Sequence, residues 1–91
     1  MASYVVSPSA RKDLIKIWEF IAADKVIEAI QEKCEMLNYH PKMGHVRPDL
    51  TRNSVLFWPI YSYLIIYKAE ASPLEIVRVL NGNRNLIDLL G

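Results

Sequence analysis

Ninety-one residues with a net charge of +1 and 52% apolar side chains describe one folded domain, residues 1–91, around a single modest core. These totals exclude wholesale disorder, a second domain, and a chain drawn to nucleic acid or membrane by its overall charge. Residues 1–40 hold five basic and six acidic side chains and residues 41–91 hold six and four, a slight basic bias in the C-terminal part.

Met1–Ser7 lacks the apolar stretch of a signal peptide, and the longest apolar runs are strand-sized, so a soluble, cytoplasmic protein is expected. Ser3–Val6 reads as a short strand. Ser7 can cap a helix whose first position suits Pro8, since the N–H that proline lacks would have no partner there. That helix is expected over Pro8–Ala23, with Leu14, Ile17, Trp18 and Ile21 on one apolar stripe and Trp18 as a core anchor.

A second helical pattern follows, with Ile27, Ile30, Cys34 and Leu37 on its inner face, and Pro41 ends it. Cys34 is the only cysteine, which forbids an intramolecular disulfide, fits a reducing compartment and reads as a buried apolar thiol. The join at Asp24-Lys25 has neither Gly nor Pro. It is a very tight turn, a bend within one helix, or the place of a loop absent from the chain.

Pro41–His45 reads as a turn, Val46–Leu50 as an extended segment broken by Pro48, and Thr51-Arg52-Asn53 as a second turn. Ser54–Trp58 is expected to be a strand closed by Pro59. Tyr61–Ala69 and Leu74–Leu80 form paired antiparallel strands joined by Glu70-Ala71-Ser72-Pro73. In the first of these, Tyr63, Ile65 and Tyr67 alternate with Leu64, Ile66 and Lys68, so both faces are apolar. In the second, Ile76, Arg78 and Leu80 alternate with Glu75, Val77 and Val79. A sheet covered on one side only should alternate more cleanly, so the second face is expected to be a binding groove. Arg78, within an apolar strand, needs a partner. After Gly82, Asn85–Leu90 reads as a short helix that docks or stays mobile.

Few residues suggest chemistry. His40 and His45 flank a turn without a recognised metal spacing, and no phosphate loop or nucleophile elbow is present. No catalytic residue, metal or cofactor is therefore expected. A loose basic set remains: Lys42, Arg47, Arg52, Lys68, Arg78 and Arg84.

Several pieces in order carry a resemblance: Ser7-Pro8-x-Ala10-x-x-Asp13-Leu14, then Ile17 and Phe20-Ile21-Ala22; Pro41-x-x-Gly44 before Arg47; Tyr63-x-Ile65-x-Tyr67-Lys68; and Glu75–Leu80 leading into Asn81-Gly82-Asn83-Arg84-Asn85. Together they resemble the ParE-type toxins of the RelE/ParE superfamily. The resemblance implies an α+β fold: an N-terminal strand and an α-helical hairpin packed on a small twisted antiparallel sheet, with a short C-terminal helix. It also implies a cognate antitoxin partner, placed here on Leu64, Ile66, Lys68, Ile76, Arg78 and Leu80. Its target is expected at Asn81, Arg84 and Asn85. Asn81 and Asn85 stand where the family usually has His and Asp, and the helical hairpin is several residues shorter than usual.

ParE-like members poison DNA gyrase by binding, whereas RelE-like members cleave mRNA on the ribosome. Cleavage needs a group that takes or gives a proton, and residues 81–91 contain no His, Tyr or Lys. Arg84 stays protonated at working pH. A gyrase-directed toxin without direct nucleic-acid binding is therefore expected first. Ribosome-dependent mRNA cleavage and a non-toxic relic that only binds antitoxin are the alternatives.

Overall fold

A computed structural model describes residues 4–21 and 24–90. Ser7 organises the start of the chain. Its hydroxyl accepts the Ala10 N–H (3.0 Å), capping the first helix, and donates to the Val77 carbonyl (2.7 Å), while its own N–H donates to the Ile76 carbonyl (3.0 Å). One residue thus ends strand β1 (Tyr4–Val6), begins helix α1 (Pro8–Ile21) and fixes both to strand β4 (Leu74–Asn81). The remaining elements are helix α2 (Asp24–Tyr39), a 3-10 turn at Pro41–Met43, strands β2 (Leu56–Ile60) and β3 (Tyr63–Lys68), and helix α3 (Leu86–Leu90). The strands form one sheet in the order β1-β4-β3-β2, antiparallel except for the parallel β1–β4 pair. The fold is α+β, as the resemblance implies.

Helices α1 and α2 cover one face. Ala10 and Ile17 from α1, and Ile30, Cys34 and Leu37 from α2, pack with Tyr63, Ile65, Tyr67, Leu74, Ile76 and Val79. The stripe on α1 lies to one side of where the apolar spacing puts it. Trp18 is 49% exposed, and its indole N–H donates to the Asp24 carboxylate across the hairpin (2.9 Å). It flanks the buried line of Ala10, Asp13 and Ile17, so it is no core anchor. Ala22 and Ala23, the end of the expected helix, and Ser3 lie outside the described residues.

The opposite face is not open. Phe57, Ile66 and Leu80 are fully buried there beneath Leu86 of α3, with Val55, Leu50, Leu89 and Leu90 around them. Strand β3 is apolar on both sides because each side has a cover from the same chain. The tail docks, and the Asn53 side-chain amide reaches the Leu90 carbonyl at 3.5 Å.

A bulge corrects the face assignment of β4. Ile66 pairs with Arg78 while Tyr67 pairs with Ile76, leaving Val77 as an extra residue. An inserted residue reverses the alternation beyond it. Ile76 therefore packs against the helices, whereas Leu80 lies on the far side.

Strand β2 continues through Pro59, which pairs with Leu64. It is an edge strand, where a missing N–H is tolerated. Tyr61 belongs to the following two-residue turn, with φ of 54°, and is not part of β3. Segment 46–50 is a turn rather than an extended run: the Arg47 carbonyl accepts from Leu50 (2.9 Å) and Thr51 (3.2 Å), and Arg47 grips Asp49 through two hydrogen bonds. Just before it, His45 bridges Phe57 by two bonds of 2.8 Å.

Candidate functional site

Strand β1 is only three residues long, so β4 runs past it with an uncovered edge. Helix α1 closes that edge. The Asp13 carboxylate, 8% exposed, accepts the Val79 N–H (3.1 Å) as a neighbouring strand's carbonyl would. It also holds the Arg78 guanidinium through bonds of 2.7 and 3.0 Å. The two-pronged hydrogen bonding raises the Arg78 pKa further. Arg78 has the partner its surroundings demand, and that partner is internal.

The six residues assigned to an antitoxin groove therefore do not line one open surface. Ile66, Ile76 and Leu80 are buried, Ile76 on the opposite side of the sheet from the other two. Arg78 is committed to Asp13. Leu64 is half-buried beside the α3 cluster, and Lys68 is exposed at the end of β3, 3.7 Å from its cross-strand neighbour Glu75.

At the other end of the same hairpin, where Tyr63 faces Asn81, the surface is concave. A hollow of about 290 Å³ opens between α1 and β4, with Ile17, Tyr63, Val79 and Leu80 beneath it, and Lys16, Phe20, Asn81 and Arg84 around it. Phe20 is 88% exposed. Neither Lys16 nor Arg84 has an ion-pair partner among the described residues, and Asp13, at the inner wall, is already balanced by Arg78. Asn81 and Arg84 thus meet. Asn85 does not join them, because its side chain caps α3, bonding Asp88 through Oδ1 (3.5 Å) and Nδ2 (2.9 Å). The Asn81 side chain accepts the Asn83 N–H (2.8 Å), fixing the turn that presents Arg84. Lys16 and Phe20 were missed as site residues. Their signal was present: a phenylalanine one residue off the apolar stripe of an amphipathic helix, with a lysine one turn earlier.

Other titratable groups serve the framework. The buried Tyr67 hydroxyl donates to the Pro41 carbonyl (2.7 Å) and accepts the Gly44 N–H (2.9 Å). Burial raises its pKa, opposed by the Gly44 bond. Any side chain at Gly44 would fall on that hydroxyl, which explains the glycine without special backbone angles. His45 stacks on Trp58 with ring centres 6.0 Å apart. Among the described residues no group of three His, Cys, Asp or Glu side chains could hold a metal ion, and no helix is long and apolar enough to cross a membrane.

Residues 4–86 match the family described as the ParE toxin of the type II toxin–antitoxin system parDE. The chain belongs to the ParE toxin family. Among relatives, the toxin RelE3 of Caulobacter vibrioides (strain ATCC 19089 / CIP 103742 / CB 15) is 26% identical over 85 residues, 87% of this ParE-family chain and 92% of that protein. Two proteins of Escherichia coli (strain K12), provisionally named an arsenate reductase-like protein and an arsenate reductase, are each 34% identical over 74 residues. Those matches cover 78% of this chain but only 62% of each relative's length. Burial, with a smaller contribution from Glu35, pushes Cys34 up to about 12, the reverse of what activates a cysteine.

Proposed function

We propose that this chain is the toxin of a type II toxin–antitoxin pair, that it arrests growth by binding DNA gyrase, and that a cognate antitoxin neutralises it. The observation that supports binding over chemistry is the make-up of the hollow at the Asn81 end. It offers an apolar floor and two cations without ion-pair partners among the described residues, while its carboxylate, Asp13, is spent on Arg78 and the Val79 N–H. Such a surface can hold a partner by burial and charge. Cleaving a phosphodiester by general acid–base catalysis would instead need Lys16 or Tyr63, the other proton-exchanging side chains at the hollow, poised on the RNA.

Similarity to the toxin RelE3 keeps mRNA cleavage on the ribosome as the competing reading. One experiment separates them. Purified protein added to gyrase should inhibit supercoiling or raise the level of cleaved complex, and should leave ribosome-bound mRNA intact. Cuts in mRNA at the ribosomal A site, with supercoiling unaffected, would overturn the gyrase reading. Expression that arrests nothing, while the antitoxin still binds, would identify a relic.

We place the antitoxin contact at the Lys68 end of the β3–β4 hairpin, away from Leu64, which pairs with Leu80 near the hollow. Lys68 is the member of the original set that is both charged and exposed.

A further inference from the structure

We infer that the hollow between α1 and the end of β4 seats an acidic amphipathic segment of the toxin's protein target. The inference rests on the binding reading above and specifies the chemistry of what binds. Phe20 stands 88% exposed at the wall of a recess floored by Ile17, Tyr63, Val79 and Leu80. That arrangement calls for an apolar side chain from outside, since an aromatic ring over an apolar recess becomes an anchor once covered. Lys16 and Arg84 stand at the same opening without ion-pair partners among the described residues. With Asp13 neutralised by Arg78, the opening is net positive, and its complement is a segment with carboxylates flanking an apolar residue.

The same features disfavour other occupants. Nucleic acid would set phosphates against Lys16 and Arg84 but would leave most of the apolar floor unmatched, on a chain of net charge +1. A second copy would have to offer its most acidic helix, α2, where Lys25 and Lys33 interrupt Asp24, Glu28, Glu32 and Glu35. The antitoxin contact lies at the Lys68 end, five residues along β3, or about 17 Å away.

The test uses the full chain with Lys16→Glu plus Arg84→Glu, and separately Phe20→Ser, all at exposed positions. Each variant is induced in bacteria and plated, and titrated calorimetrically with the cognate antitoxin, whose binding reports an intact fold. A photo-crosslinking phenylalanine analogue at position 20 reports the contact directly. Both variants should restore plating at least 100-fold while antitoxin Kd stays within threefold. The crosslink should map to a protein segment with carboxylates beside an apolar residue. Undiminished arrest, a tenfold loss of antitoxin affinity, or a crosslink to RNA or to a second copy would each overturn the inference. A wild-type chain that arrests nothing would overturn it too. If the wild-type chain arrests growth yet leaves supercoiling untouched, the gyrase reading fails alone, and plating and crosslinking still judge the hollow.

Discussion

Removing the Arg78 guanidinium would leave a carboxylate that is 8% exposed with a backbone N–H as its remaining donor. Loss of one member of such a pair costs more than the pair itself contributes, because the survivor stays desolvated. Arg78→Ala should therefore lower the unfolding free energy by about 3 kcal/mol, measured by urea denaturation. A lysine there would restore charge but not the two-pronged grip. Cys34 gives a pH signature. Its proton is held more tightly in the folded state than in the unfolded chain, so its stabilising effect is complete below the ordinary value of 9.0 and is lost as pH climbs toward about 12. Between pH 9 and 11 the unfolding free energy should fall more steeply for the wild type than for Cys34→Ala. Equal slopes would show that the thiol is not held protonated by the fold.

Helix α3 is five residues long, too short to stand alone, and is held by what it covers. Leu86 is 4% exposed over Phe57, Ile66 and Leu80. Leu86→Ala should cost about 2–3 kcal/mol, read as a shift in urea midpoint with the slope unchanged. For the same reason, truncation after Gly82 would strip a core as well as a tail, so substitutions at Arg84 are the cleaner probe of toxicity. The elements themselves were legible where local chemistry is strong: Ser7-Pro8 announces α1, the inner line of α2 is spaced as a helix requires, and the hairpin follows from two strand-forming runs, Tyr61–Ala69 and Leu74–Leu80, joined by the turn-prone Glu70–Pro73. The bulge at Val77 was not legible, since nothing in Leu74–Asn81 marks one residue as extra. A period-two reading therefore put Ile76 on the wrong face. Pro59 misled in the other direction, because its compatibility with β2 depends on that strand being at the edge, a property of the assembled sheet.

For the molecule as a whole, the family was readable from ordered short pieces spread along the chain, but the site was not. Arg78 looked like a groove residue because its need for a partner was visible, while nothing local to Asp13, 65 positions earlier, marks it as that partner. The hollow depends on α1 lying beside the end of β4, which no local pattern encodes. Lys68 survives as the antitoxin probe. Lys68→Glu should weaken the antitoxin complex by about 1–3 kcal/mol by calorimetry, with a reduced association rate and altered salt dependence. Unchanged affinity would remove Lys68 from that interface.

The pairing of β1 with β4 joins Tyr4 to Leu74 across 70 positions. A ribosome adding about 5–20 residues per second needs roughly 4–14 s to bridge that interval. Until then the first strand has no companion, Asp13 has no edge to close, and the recess beside Arg84 does not exist. A nascent copy thus lacks the recess through most of its translation and completes it only after residues 74–84 have emerged.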